Sequence, residues 1–269
     1  MNPPPQFQRL LLTGAAGGLG KVMRERMRAW TRVLRLSDRE PLGDAREGEE
    51  VVRCDLADRA ATLALLDGVD AMVHFGGVSV EAAFDPILQS NIIGCYNVYE
   101  GARRHGVKRV VFASSNHVIG FYRQSERIDI EAPRRPDGLY GLSKCFGEDL
   151  SRLYFDRYGI ETVCLRIGSS FPQPKDRRML STFLSYDDLT ELVRCSLFTP
   201  CVGHTIVFGM SDNSSKWWDN SKAAHLGFKP RDSADRDRER IESLPPLAPD
   251  DAASIYQGGS FIHAGPFED

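Results

Sequence analysis

A run of three leucines that ends in three regularly spaced glycines restricts this chain more than any other stretch. Leu10-Leu11-Leu12 reads as a short buried strand, Gly14, Gly17 and Gly20 follow at G-x-x-G-x-x-G spacing, and Lys21 to Trp30 has the pattern of a helix. Each glycine has a task that a side chain would spoil. The first permits the turn, the second lets the backbone approach a pyrophosphate, and the third lets helix and strand pack closely. The helix start then offers free N–H groups and a positive dipole end to an anion. Turns collect glycine for structural reasons too. Here the strand before, the helix after and an acid downstream agree on a dinucleotide.

The alternation continues. Val33 to Leu36 is strand-like and stops at Ser37-Asp38, Val51-Val52 leads to Cys54-Asp55-Leu56, and Ala60 to Leu66 looks helical. Ala71 to Phe75 is short, apolar and broken by Gly76-Gly77, and Pro86 to His105 is a long periodic helix. Val110 to Ala113 is the clearest buried strand; Leu139 to Tyr158 is helical and Thr162 to Ile167 is another strand. Strands separated by helices imply a parallel sheet with right-handed crossovers. After Ile167 the rhythm degrades. Pro172 and Pro174 mark a loop, Asp187 to Phe198 a helix and Thr205 to Phe208 one more strand. Trp217-Trp218 open a short segment ending at Gly227 and serve either a subunit contact or the core. Arg231 to Glu242 holds nine charged residues in twelve, the composition of an exposed, salt-laced helix.

At about 150 residues per domain, this length corresponds to roughly 1.8 domains. Residues 1–168 suffice for a full dinucleotide-binding domain, and the remaining 101 are too few for an independent core of ordinary size. The expected fold is α/β, a Rossmann-type doubly wound parallel sheet with a small C-terminal substrate-binding region (169–269) packed on it as a lid. Apolar residues make up 42% of the chain and charged residues 26%, which excludes dominant disorder. A net charge of −3 supplies no basic field for nucleic acid. The six cysteines form no C-x-x-C pair, so no metal is expected and buried thiols in a reducing compartment are. Met1 to Gln8 is proline-rich without a basic-then-apolar signal layout. No apolar run approaches the length of a membrane helix. A cytoplasmic protein with no membrane partner is the expectation.

Asp38 lies at the end of the second strand, 21 residues beyond Gly17. A carboxylate there accepts from the adenosine ribose hydroxyls and repels a 2′-phosphate, which favours NAD over NADP, although Arg39 beside it can serve a phosphate. Asp55 either meets the adenine edge or caps the following helix. Tyr140 and Lys144 are four apart on one helix face. A phenol is a poor base at neutral pH, and an ammonium together with a cationic nicotinamide would favour the phenolate. Ser115, ending the clearest strand, can hydrogen-bond a reacting oxygen. The tyrosine–lysine pair alone is common on helix surfaces; its position after the glycine turn and the Ser115 strand gives it weight.

The run Thr13 to Gly20, Cys54-Asp55-Leu56, Asp70 through His74, Asn91-Ile92-Ile93-Gly94, Phe112 to Ser115 and Tyr140-Gly141-Leu142-Ser143-Lys144 resembles the extended short-chain dehydrogenase/reductases, in that family's order. The resemblance implies a Ser115, Tyr140 and Lys144 triad. It also implies NAD held by Gly14, Gly17, Gly18, Leu19, Gly20, Asp38, Asp55, Leu56, Phe75, Asn91, Ser114 and Ile167, with Tyr140 and Lys144 at the nicotinamide end. Sugar-nucleotide epimerases of that family usually carry Val-Tyr-Gly after the catalytic serine and an asparagine after the later strand. Here Asn116-His117-Val118-Ile119-Gly120 and Gly168-Ser169-Ser170 stand instead.

Those stretches, with Arg178-Met179-Leu180-Ser181, Trp217 to Asn220 and Gln257-Gly258-Gly259, are similar to the bacterial uronate dehydrogenases. Members of that group oxidise the anomeric carbon of glucuronate or galacturonate to an aldarolactone with NAD. That resemblance implies a small uronic acid as partner, with Ser79, Ser115, Asn116, His117, Ser169 and Arg178 as its contacts. Arg178 would hold the carboxylate, against a plain reading as a solvated arginine in a charged run. His117 either touches substrate or is a structural hydrogen-bonder, and His74 supports the sheet. The alternatives are a sugar-nucleotide epimerase, dehydratase or reductase on the same fold, or a regulatory Rossmann protein that binds NAD without turnover. A homo-oligomer is expected on general grounds.

Overall fold

Leu10, Leu11 and Leu12 alternate between the two faces of a strand, yet all three are wholly buried. That is possible only where both faces of the sheet are covered, and the computed structural model, which describes residues 7–267, has that arrangement. The proline-rich opening up to residue 6 lies outside the described residues. The chain runs β1 (Phe7–Thr13), α1 (Gly18–Met27), β2 (Thr31–Asp38), β3 (Glu49–Arg53), α2 (Arg59–Leu65), β4 (Ala71–His74), α3 (Phe84–Ile87), α4 (Gly94–His105) and β5 (Arg109–Ser115). It continues through β6 (Ile128–Asp129), α5 (Leu139–Tyr158), β7 (Glu161–Ile167), α6 (Met179–Thr182), α7 (Tyr186–Phe198), β8 (His204–Gly209), β9 (Trp218–Asp219), α8 (Arg238–Glu242) and α9 (Ala252–Ile255).

Seven strands pair in the order β3-β2-β1-β4-β5-β7-β8, and every pairing is parallel. The order reverses between β1 and β4, so a crevice opens there beyond the C-terminal strand ends. On one face Leu10, Leu12, Leu34, Leu36, Val111 and Val163 meet Met23 and Met27 of α1 and Leu189, Leu192 and Val193 of α7. On the other, Leu11, Met72, Val110, Phe112 and Cys164 meet Val98, Tyr99 and Ala102 of α4 and Leu150 and Tyr154 of α5. Each such leucine contributes about 1.5–3 kcal/mol relative to exposure. The chain beyond residue 168 adds β8 to the sheet edge and α7 to the first face. It also builds two small clusters, one around Phe208 and Trp218, the other around Met179, Phe183 and Ile241.

Several expectations change. The helix expected over Pro86 to His105 contains a π-helical turn at Leu88–Ile93, and that turn carries Asn91 towards the loop after β4. The charged stretch Arg231 to Glu242 is a 3-10 turn, Ala234–Asp237, followed by the five-residue α8. It is not wholly exposed, because Ala234 and Ile241 are buried while Arg238 pairs locally with Asp235 and Glu242 and Arg240 with Asp237. Five cysteines are buried free thiols, but Cys201 is exposed. Trp218 belongs to the core: its ring stacks on Phe208 at 5.0 Å, and its indole N–H donates to Gln257 Oε1 at 2.8 Å.

Helix α5 is fixed to the sheet through Glu148. Its carboxylate accepts two bonds from the Arg166 guanidinium of β7, both 2.9 Å, and one from the Ser114 hydroxyl of β5 at 2.7 Å. Arg134 adds a fourth at 3.2 Å. Burial pushes the Glu148 carboxyl up, but hydrogen bonding and charge from Arg166, with Ser114, hold it below its ordinary 4.5. Its stabilisation is therefore complete above about pH 4.5 and lost as pH falls through the lower folded value. Glu148→Gln leaves a buried guanidinium without its counter-charge and is expected to cost about 3–5 kcal/mol in a urea melt. Glu191→Gln, breaking the half-exposed pair with Arg194, is expected to cost about 1 kcal/mol or less.

Candidate active site

A cleft of about 1370 Å³ lies over the C-terminal ends of β1, β2, β4, β5 and β7 and under the C-terminal tail. Its floor at one end is the glycine turn. Gly14 has φ +71°, and a Cβ there would lie 2.5 Å from the Phe75 carbonyl, so the position demands glycine. A Cβ on Gly20 would lie 2.0 Å from the Gly14 carbonyl oxygen, which is the close helix–strand approach expected of the third glycine. The first helical bond, Lys21 N to Gly17 O, is 2.9 Å. The amides before it have no partner within the helix and line the cleft with Gly17, Gly18, Leu19 and Gly20. Such a cradle could hold a pyrophosphate.

Asp38 is locked beside that turn. Its Oδ2 accepts from the Ala16 amide at 2.9 Å and its Oδ1 from the Glu40 amide at 3.0 Å. Asp55, Leu56, Phe75, Ser114 and Ile167 also line the cleft. Asp55 accepts from the Ala57 amide at 2.9 Å, while the cap of α2 is Asp58, accepting from Ala61 at 3.0 Å. The capping role weighed for Asp55 thus belongs to its neighbour. Asn91 stands behind the wall and not in it. Its amide accepts from Val78 N at 2.8 Å and donates to Val78 O and Ser143 Oγ at 3.0 and 2.9 Å, so it shapes the loop after β4. His74 is buried and 2.8 Å from Thr13 Oγ1 across β4 and β1, and burial takes its imidazole down to about 3. It is a neutral clasp within the sheet.

Ser115, Tyr140 and Lys144 converge on the middle of the cleft. The Lys144 ammonium lies 5.5 Å from the Tyr140 ring centroid and 5.3 Å from that of Phe112. Burial pushes the Tyr140 phenol up to about 12, with a hydrogen bond from Ser115 pulling the other way. Burial also takes Lys144 down to about 8. Burial by itself thus opposes the phenolate, for which a cationic nicotinamide is expected to act as well as the lysine. A desolvated phenolate is costly, and the same burial weakens the cation meant to offset it.

The other end of the cleft carries Ser79, Asn116, His117, Ser169 and Arg178. The Arg178 guanidinium donates to the Gln257 carbonyl at 2.6 Å, to Ser169 Oγ at 3.0 Å and to the Asn116 side-chain oxygen at 2.6 Å. None of these partners is a carboxylate, and burial takes the group down to about 10. A guanidinium held by three neutral acceptors is built and not merely solvated, which removes the plain reading. His117 Nδ1 is 2.7 Å from Asp137 Oδ2, and its ring stacks on Phe261 at 3.8 Å.

The sequence pattern did not single out Asp137, Phe261, Glu81 or Ser170. Glu81 accepts from the Leu139 and Tyr140 amides at 2.7 and 2.9 Å and so ties the loop after β4 to the start of α5. The Ser170 hydroxyl is buried without a partner among the described residues and lines the same end of the cleft. Asp137 sits in Pro-Asp-Gly, which reads as an ordinary turn, so no local signal marked it.

The profile of the NAD dependent epimerase/dehydratase family matches residues 10–186. A protein of Pseudomonas putida described as uronate dehydrogenase is 64% identical over 262 residues, spanning 97% of this chain and 98% of its own. Its counterpart in Agrobacterium fabrum is 54% identical over 257 residues, spanning 95% and 97%. The crystal structure of a uronate dehydrogenase from Agrobacterium tumefaciens, a tyrosine-to-alanine mutant complexed with NAD, matches with a TM-score of 0.95 at 52% identity. It covers 98% of this chain and 100% of that one.

Gly20→Ala drives a methyl into the Gly14 carbonyl, so stability is expected to fall by about 1–3 kcal/mol, and fluorescence titration should show NADH binding weakened at least about tenfold. Gly18→Ala, whose methyl meets nothing within 4 Å, is expected to change stability by less than about 1 kcal/mol.

Proposed function

This chain belongs to the NAD dependent epimerase/dehydratase family, among its uronate dehydrogenases, and from that premise we propose that it oxidises the anomeric carbon of a free uronic acid to the aldarolactone. It is an NAD-dependent dehydrogenase acting on a CH–OH group. The observation that carries the choice of substrate is Arg178, a guanidinium facing the cleft with only neutral partners. A uronate brings one carboxylate, whose two oxygens suit the guanidinium fork. Ser79, Asn116, Ser169 and Ser170 supply short polar groups for the sugar hydroxyls.

NAD, when bound, takes up the hydride released from C1. The chain's own residues do the rest. Ser115 holds the C1 oxygen, and Tyr140, as phenolate, removes the hydroxyl proton as the C1–O bond becomes a carbonyl. Burial alone disfavours that phenolate, so the base form depends on the positive charge of Lys144 and of the nicotinamide ring that NAD would bring. Lys144 holds the nicotinamide ribose and contributes charge. Gly14 to Gly20 cradle the pyrophosphate, and Asp38 reads the ribose as that of NAD.

An assay of NADH formation on a panel of free uronic acids, aldoses and UDP-sugars tests the reading. Turnover is expected on glucuronate or galacturonate, and turnover confined to UDP-sugars would sink it. Arg178→Ala is expected to lower kcat/KM on uronates on the order of 100-fold while NADH affinity moves less than about threefold. An equal fall in both would count against the clamp.

We further infer a cytoplasmic homo-oligomer. All six cysteines are free, as a reducing compartment keeps them, and no helix among the described residues is long and apolar enough to cross a membrane. Leu142 and Leu153 of α5, with Tyr96 of α4, are exposed and offer an apolar face to a second copy. Sedimentation should show a lighter species for Leu153→Glu than for the wild type; an unchanged mass removes this face from the interface.

A further inference from the structure

His117 stands in the cleft wall between the reacting centre and the tail. Its ring is edge-on to Tyr140 at 5.8 Å and stacked on Phe261 at 3.8 Å. Nδ1 is 2.7 Å from Asp137 Oδ2, and the Asp137 side chain is 1% exposed. Nε2 bonds to none of the described residues. A carboxylate only accepts, so the proton of a neutral ring sits on Nδ1 and the lone pair on Nε2.

The Asp137 carboxylate is enclosed by backbone. A Cβ on Gly120 would lie 1.8 Å from Asp137 Oδ2 and one on Gly258 1.9 Å from it. Two remote segments, one of them the tail, thus approach the carboxylate where no side chain fits. Neither the family motifs nor the triad uses Asp137.

We propose that Asp137, through Nδ1 of His117, fixes that ring as the neutral Nδ1–H tautomer, so that Nε2 accepts a hydrogen bond from a sugar hydroxyl next to the reacting carbon. Asp137 is then a positioning residue that sets the polarity of a substrate contact it does not touch; the assignment rests on reading the cleft as a uronate site. An Nε2–H ring would present a donor instead and leave that hydroxyl without an acceptor, which a recognition site penalises strongly.

The charges around the ring make the assignment measurable. Burial holds His117 below its ordinary 6.5; Asp137, by hydrogen bond and charge, and Glu81 from the loop after β4 oppose this, while Arg178 from the loop before α6 adds to it. Tyr140, from α5, faces the ring as a neutral phenol. The acceptor form exists above the His117 pKa, and removing the Asp137 charge lowers that pKa, which the ring's own titration reads apart from Tyr140, whose phenol the same charge raises.

Nitrogen-15 histidine spectra of the full chain read the tautomer without any turnover, with the His117 signals assigned by their loss in His117→Gln. Protonated Nδ1 and bare Nε2 are expected in the wild type, and the opposite tautomer overturns the proposal whatever the enzyme oxidises. Asp137→Asn is expected to lower kcat/KM on glucuronate on the order of 10- to 100-fold, to shift the His117 ring titration in the same spectra to lower pH, and to leave NADH affinity within about threefold. In the His117→Gln background the same substitution should have no further effect. An equal loss in both backgrounds, or a loss without the pH shift, means that Asp137 acts only on the fold. If the wild type oxidises no uronate, the reading of the site fails while the spectra still decide the tautomer.

Discussion

The buried ion pair between Glu148 and Arg166 is the fixed point from which the rest of this active site is measured. Tyr140, Lys144 and Glu148 follow one another at four-residue intervals along α5, so they lie on one face of the helix. Whatever fixes Glu148 therefore fixes the two groups proposed to do the chemistry. Arg166 comes from β7 and Ser114 from β5, so the carboxylate ties the helix to two adjacent strands at once. Burying such a pair adds little net stability, because desolvation consumes most of the attraction. Arg166 Nη1 even remains without a partner among the described residues. What the pair supplies is position: Ser114 is committed to Glu148, and its neighbour Ser115 is left for the cleft.

Position also explains the electrostatics of the cleft. Lys144 and Arg178 are cations with no carboxylate among their described partners, and both are taken down by burial, to about 8 and about 10. The carboxylates near the substrate end act at one remove: Asp137 on His117, and Glu81 on the first amides of α5. Lys144 and Arg178 thus face the cleft as cations while Asp137 and Glu81 stand behind them, which suits a ligand that brings its own negative charge and a reaction that generates a transient oxyanion. The family's fold is shared by enzymes of several chemistries, and here the discrimination rests on these side chains and not on the sheet.

The C-terminal tail decides more than its length suggests. Gln257 donates from its side chain to the Arg123 and Glu126 carbonyls and accepts from the Trp218 indole, while its own carbonyl holds Arg178. Gly258 comes against Asp137, and Phe261 lies on His117. One short stretch of chain therefore sets the direction of both the guanidinium and the imidazole.

By itself the sequence determined what depends on local pattern. The leucine run and the glycine spacing specify strand, turn and helix, because their requirements for burial, φ and close approach act within a dozen residues. The four-residue interval of Tyr140 and Lys144 specifies a shared helix face for the same reason. Only the tertiary structure decided directions. Asn91 turned behind the wall because a π-helical turn rotates it towards Val78, and the cap weighed as the alternative for Asp55 fell to Asp58 three residues on. Trp218 went to the core because Gln257, 39 residues later, supplies the acceptor for its indole. Asp137 became the partner of His117 for a similar cause. Their bond joins residues 20 apart across a turn, and no periodicity encodes an encounter that exists only once the sheet, α5 and the tail have closed around it.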